Sequence, residues 1–220
     1  MHKGNFILTF YIIYGALVIG LLFTSILCPL VEKNIGGCQL HVFGIRMMTD
    51  LSGAGCKSSA GVSQPSSPLD LYVLQDAPVC LSASVGANPA GDITYLHNVP
   101  AGTLKNLMVA YLFFAGLSLF SALSTVAVSI AHLVTKSKFI DTLVQYFVVF
   151  GATLVSVLLT FILATVIVAS NDIYADLLET LGIQGSVNTS ARSGFSCTVA
   201  AAGMGMIAIL VVVLSVTNAL

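Results

Sequence analysis

This sequence has very few charged residues and no Trp. Only 8% of its 220 residues are Asp, Glu, Lys or Arg, whereas 57% are hydrophobic and the mean hydropathy is +0.99. A soluble domain has about 25% charged residues, so this chain cannot cover its surface with polar groups. We therefore expect lipid to surround much of it. The net charge of −1 leaves no basic surface for nucleic acid.

Signatures of catalysis and transport are also missing. The chain has no G-x-S-x-G, no H-E-x-x-H, no P-loop and no C-x-x-C metal pair. No Asp, Glu, Lys or Arg lies within its long apolar runs, where pumps and transporters usually carry charge. We therefore expect a protein that is not an enzyme, with no cofactor and no metal site. A lipid-active site built on His41 and His97 is a minor alternative.

Four apolar runs are long enough to cross a bilayer, which takes about 20 residues. They cover residues 6–31, 107–134, 143–169 and 197–216. The sequence thus predicts an integral membrane α-helical protein, a single four-span domain over residues 1–220. Its outer loops are predicted at 32–106 and 170–196.

The lysines set the predicted orientation of these spans. Lys136 and Lys138 lie in the short link between the second and third runs, and Lys3 precedes the first. The positive-inside rule places such residues on the cytoplasmic side. Both termini are then cytoplasmic, and both longer loops are outside, in the plasma membrane or another membrane of the secretory pathway.

All five cysteines fall on the predicted outer side. Cys38, Cys56 and Cys80 lie in the first outer loop, while Cys28 and Cys197 lie at the outer ends of spans. This one-sided placement is typical of an oxidising compartment, and we expect a disulfide among the three loop cysteines, with its connectivity open. Cys28 and Cys197 are equally well explained as small apolar residues near the interface.

The first outer loop also carries strand patterns between turn-rich stretches. The four candidate strands are Gln39–Met48, Leu69–Gln75, Val79–Val85 and Ile93–Val99. Three or more strands, or a disulfide, are needed for such a small sheet to be stable. We therefore predict a small, disulfide-stapled, extracellular antiparallel sheet on the outer ends of the four helices.

The second outer loop carries two further signals. Ile173, Leu177 and Leu181 recur at helical spacing with no helix breaker before Gly182, which predicts that the third helix continues beyond the membrane. Asn188 begins the sequence Asn-Thr-Ser, an acceptor for N-linked glycan on the predicted outer side.

The second span carries small residues at alternating spacings of three and four. They are Ala115, Ser118, Ala122, Thr125 and Ser129, which we call the small-residue stripe. Such a stripe lets helices approach closely, and its hydroxyls can bond across the contact. We interpret it as the internal packing seam of the bundle, and a face that receives a partner's helix is the alternative.

The layout of four spans, inside termini and a large first outer loop with strands and cysteines resembles the claudin-like tetraspan superfamily. The claudin motif itself is missing because the chain has no Trp. The sequence CQLHVFGIR is most similar to the signature of the amastin surface glycoproteins, through Phe43, Gly44 and Arg46 after Cys38. It departs from that signature by an extra residue after Cys38, by His41 at a Ser/Thr position and by Asp50 at a Cys position. The fungal PalI and eisosome tetraspan family is similar in layout but fits the first loop less well.

The resemblance implies a non-enzymatic surface protein that organises membrane or contact partners through its outer sheet. Its partners would be the lipid bilayer and other membrane proteins or further copies of itself. The alternative is an accessory subunit of a channel, receptor or membrane enzyme, docked through the small-residue stripe.

Overall fold

The computed structural model describes residues 3–35, 38–50, 92–95, 101–135, 141–174 and 187–216. The described helices are α1 (Lys3–Leu27), α2 (Thr103–Thr135), α3 (Asp141–Ala169) and α4 (Ser193–Val216), with a 3₁₀ turn at Asp172–Tyr174. The strands are β1 (Pro29–Ile35), β2 (Cys38–Phe43), β3 (Arg46–Asp50), β4 (Asp92–Tyr95) and β5 (Val187–Ala191).

Four helices are long and apolar enough to span a membrane, as predicted. The qualifying segments are Leu8–Leu27, Thr103–Val134, Val148–Ala169 and Ser193–Val211. Each also carries large apolar side chains on its surface; Phe113 and Phe120 of α2 are 65% and 70% exposed. Exposed apolar side chains along the full length of a helix are favourable in lipid and costly in water.

The first helix is shorter than the first apolar run. The run extends to residue 31, but α1 ends at Leu27 and β1 begins at Pro29. Proline cannot donate a helical hydrogen bond and disfavours helical geometry in the residue before it. The apolar residues Leu30 and Val31 are buried in the sheet core and do not belong to the membrane helix.

The sheet is antiparallel, with the strand order β4-β3-β2-β1-β5. An antiparallel sheet was predicted, but the predicted strand Gln39–Met48 is a hairpin, because Gly44 and Ile45 form a turn between β2 and β3. β4 overlaps the predicted strand at Ile93–Val99, and β1 and β5 were not predicted. The candidate strands Leu69–Gln75 and Val79–Val85 lie outside the described residues.

The prediction that the third helix continues beyond the membrane is wrong for the described residues that follow Ala169. α3 ends at Ala169, and a 3₁₀ turn follows at Asp172–Tyr174. The hydroxyl of Tyr174 donates to the carbonyl of Ile167 (2.7 Å), which folds the chain back on the helix end. The rest of the predicted extension lies in residues 175–186, outside the described residues.

The chain divides into two compact units. The helical unit comprises residues 1–23, 113–162 and 197–220, and its core includes Tyr14, Val18, Leu22 and Phe150. The sheet unit comprises residues 24–112 and 163–196. In the sheet unit, one face of β1, β2 and β3 packs on helix ends; its core is Leu30, Val31, Leu40, Val42, Met47, Leu104, Met108, Tyr111, Ala164, Ile167 and Tyr174.

A buried lysine as the candidate functional site

Among the described side chains of the sheet unit, Lys33 is the most unusual. It lies in β1, two residues after Val31, and therefore on the same face of the strand as the apolar core. Its side chain is 0% exposed, whereas lysines are almost never fully buried unless they are paired. A lysine in this position needs compensating partners.

Oxygen atoms from two other segments supply those partners. Lys33 Nζ donates to Asn171 Oδ1 at 2.7 Å and to Thr189 Oγ1 at 3.2 Å. The carbonyl oxygens of Val168 and Ser170 lie at 3.4 Å and 3.5 Å from it. The ring of Tyr174 completes the site, with its centroid 4.4 Å from Nζ. We call this arrangement the lysine cage.

The cage residues are positioned by regular structure. Lys33 and Thr189 are directly opposite each other in the β1–β5 pair. Asn171 follows the end of α3, and its carbonyl accepts the backbone N–H of Tyr174 at 3.0 Å. Thr189 Oγ1 also donates to Asn171 Oδ1 at 3.3 Å. The cage therefore joins β1, β5 and the carboxyl end of α3 around one amine.

The electrostatics of the cage come from neutral groups. Among the described residues, the ion pairs involve Glu32 and do not include Lys33. The carbonyls of Val168 and Ser170 belong to the end of α3, where the helix dipole favours a cation. Burial acts in the opposite direction and lowers the pKa of Lys33 from its ordinary value of 10.5. Burial also raises the pKa of Tyr174, whose hydroxyl stays protonated and donates to Ile167.

The opposite side of β1 carries a second charged group. Glu32 pairs in register with His41 of β2, and its carboxylate accepts a hydrogen bond from Arg192 just before α4. His41 Nδ1 lies 3.7 Å from the same carboxylate, and this histidine is 2% exposed. His97 lies outside the described residues.

The signature residues Phe43 and Gly44 lie at the β2–β3 turn. Phe43 is fully buried, and the side chain of Arg46 lies outside the described side chains. A Cβ on Gly44 would lie 3.0 Å from the ring of Tyr111 and 3.2 Å from the backbone of Ile26. Glycine at this position lets the turn approach the end of α1 closely.

The small-residue stripe of α2 is buried within the chain. All five of its side chains are at most 1% exposed. Ser118 Oγ lies 3.4 Å from Thr160 Oγ1 of α3, and Thr125 Oγ1 lies 3.4 Å from Thr153 Oγ1. The hydroxyls also donate to carbonyls of their own helix, as Ser118 does to Phe114 (2.7 Å). Ser118 and Thr125 of the stripe therefore pack α2 against α3, and the chain itself covers the whole stripe.

The cysteines and the glycan acceptor Asn188 differ in the element that carries them and in their exposure. Cys38 lies in β2, although its side chain is not among the described ones. Cys56 and Cys80 lie outside the described residues. Cys28 is buried and disulfide-bonded, whereas Cys197 is a partly buried free thiol in α4. Asn188 is exposed on β5, at the edge of the described sheet. Ser190, the hydroxyl residue of the sequon, is exposed two residues further along the same strand.

No feature of the sequence that was considered above pointed to Lys33 or to the lysine cage. The alternation of Val31, Lys33 and Ile35 is the signal that could have revealed it, because it puts a lysine on an apolar strand face.

Comparison with protein-family models and with curated proteins finds no match. No family or superfamily assignment is therefore supported by these comparisons.

Proposed function

We propose that this chain is a non-enzymatic multi-pass surface membrane protein that organises membrane or contact partners through its small sheet. The observation that carries this proposal is the construction of the sheet unit. Its sheet is fixed to helix ends by an apolar core and by the lysine cage. A rigid scaffold that presents polar side chains is suited to recognition, because few groups need to be ordered on binding.

The exposed part of the sheet supplies polar groups for this role. Asn34 of β1 and Asn188 of β5 are both exposed and lie opposite each other in register. Ser190 is exposed two residues beyond Asn188, on the same face of β5. Together these positions offer the amide of Asn34 and the hydroxyl of Ser190, beside the proposed glycan on Asn188, on the face opposite the lysine cage.

In this proposal the sheet lies outside the cell, with both termini cytoplasmic. The lysines of the link between α2 and α3 support that orientation. A disulfide among Cys38, Cys56 and Cys80 and a glycan on Asn188 belong to the same proposal. The exposure of Asn188 and Ser190 on β5 supports the glycan.

The claudin-like, amastin-like affinity is also a proposal. It is supported by the order of elements: an apolar helix, an antiparallel sheet formed largely before the second helix, and two further apolar helices. The close fit of Gly44 against Ile26 gives the glycine of the signature a physical reason. A role in organising surface partners follows from this affinity as it does from the sheet.

An accessory subunit of a channel, receptor or membrane enzyme is the second candidate. In this candidate the partner docks elsewhere than at the small-residue stripe, whose side chains are buried within the chain. The exposed side of α2, with Phe113 and Phe120, is the face that such a partner would contact within the membrane. This candidate predicts one partner in near-equal copy number.

The test is purification of the tagged protein from its native membrane in mild detergent, with quantitative mass spectrometry. We expect co-purifying surface partners to be lost in Asn34→Arg, which adds charge to the exposed sheet. Ala101→Arg, at an exposed position outside the strands, is the matched control and should retain them. Partners that survive Asn34→Arg but are lost when Phe113 and Phe120 are both changed to Ala would favour the accessory subunit.

A further inference from the structure

We propose that the lysine cage is a binding site for one small primary ammonium ion, and that this chain fills the site with its own Lys33. The native protein then carries a tethered cation. The same site, once the tether is removed, should bind a free alkylammonium ion. This inference does not depend on which partners the sheet recognises.

The ligand set of the cage selects for this class of cation. Four neutral oxygen atoms surround Nζ, from two carbonyls, one amide and one hydroxyl. Divalent cations such as Ca²⁺ and Mg²⁺ are usually held with the help of carboxylates, and none of these four ligands is one. An ammonium group has three N–H donors that match such oxygens.

The aromatic wall adds a second element of selectivity. Tyr174 presents its ring to Nζ at 4.4 Å, within the distance at which an aromatic face attracts a cation. The end of α3 adds partial negative charge on the carbonyl side. An ion that both donates hydrogen bonds and tolerates an aromatic contact fits these surroundings better than a strongly hydrated metal ion.

The cage is held together by contacts that do not involve Lys33. Thr189 donates to Asn171, Tyr174 N–H donates to the Asn171 carbonyl, and the Tyr174 hydroxyl donates to Ile167. The pairing of β1 with β5 also continues on both sides of Lys33. Shortening Lys33 to alanine should therefore leave the oxygen atoms in place around an empty volume, which is the condition for tight rebinding.

The experiment measures thermal unfolding of detergent-purified Lys33→Ala against the concentration of n-propylammonium chloride, at constant ionic strength. We expect the midpoint to rise with the logarithm of the ammonium concentration above the dissociation constant, by about 4 °C at ten times the dissociation constant. Tetramethylammonium, which has no N–H donor, should produce no such rise. Wild type and Lys33→Met, whose cages are filled, should also show none.

Two further measurements keep the proposal falsifiable. Adding Asn171→Leu to Lys33→Ala removes the closest oxygen and should abolish the propylammonium response. If Lys33→Ala is not recovered folded, it is expressed and purified with propylammonium present, and recovery that depends on this ion supports the site. The proposal would be overturned by an equal response in Lys33→Met or by a response to tetramethylammonium. It would also be overturned if Lys33→Ala is not recovered in any ammonium salt although Lys33→Met folds.

Discussion

Gly194→Ala is the substitution that tests most sharply how the sheet meets the helices. Gly194 is buried in the first turn of α4. A Cβ at this position would lie 2.6 Å from the carbonyl oxygen of Cys28 and 2.9 Å from that of Pro29. Both atoms belong to the backbone at the start of β1, so no side chain can rotate away to make room. The start of α4 and the start of β1 would have to separate.

The size of the effect follows from two opposing terms. Overpacking a well-packed site costs about 1–3 kcal/mol, and backbone neighbours place Gly194 at the upper end. Alanine is about 1 kcal/mol better than glycine inside a helix. We expect a net loss of about 2 kcal/mol for Gly194→Ala, which lowers the unfolding midpoint of a chain of this length by about 4–8 °C.

Gly203→Ala is the matched control in the same helix. A Cβ on Gly203 meets nothing within 4 Å, so the substitution adds helix propensity without a clash. Its midpoint should equal or exceed that of wild type when both variants are melted in the same detergent. Similar midpoints for Gly194→Ala and Gly203→Ala would refute the close contact between α4 and β1.

Three more predictions use the same melting assay. In the unfolded chain Lys33 keeps its proton up to the ordinary pKa of 10.5, whereas its pKa in the folded protein is lower. The free energy of unfolding should therefore rise with pH between the two pKa values, and Lys33→Met should lack this rise. Tyr14→Phe should stabilise the protein by about 1 kcal/mol, because it removes a buried hydroxyl that has no hydrogen-bond partner among the described residues; a lower midpoint would contradict this. Ser118→Leu should cost about 1–3 kcal/mol, since Ser118 is buried beside Thr160, whereas the exposed Phe120→Leu should change stability by under about 0.5 kcal/mol.

The membrane helices were predictable because their signal is local. Runs of apolar residues of this length have few alternatives, and the four runs correspond to four long apolar helices. The end of α1 was misplaced by four residues for the same reason, since apolar residues suit both a membrane helix and a buried strand. Pro29 was the local signal that distinguishes the two.

The sheet was predictable in kind but not in its pairing. β5 follows α3 by many residues, and its partner β1 follows α1, so the pairing depends on contacts far apart in the sequence. The lysine cage depends on that pairing, because Thr189 reaches Lys33 only once β5 lies beside β1. The end of α3 at Ala169 depends in part on Tyr174 folding back on the helix. No period in the sequence carries such long-range information.

Labelling of single introduced cysteines in intact cells, with a membrane-impermeant maleimide and above the background of the parent protein, shows on which side of the membrane the sheet lies. Asn34→Cys reports on the exposed sheet, and Ser137→Cys reports on the link between α2 and α3. We expect Asn34→Cys to be labelled in intact cells and Ser137→Cys to be labelled only after permeabilisation. The reverse pattern would place the sheet in the cytoplasm and contradict its proposed role at the cell surface.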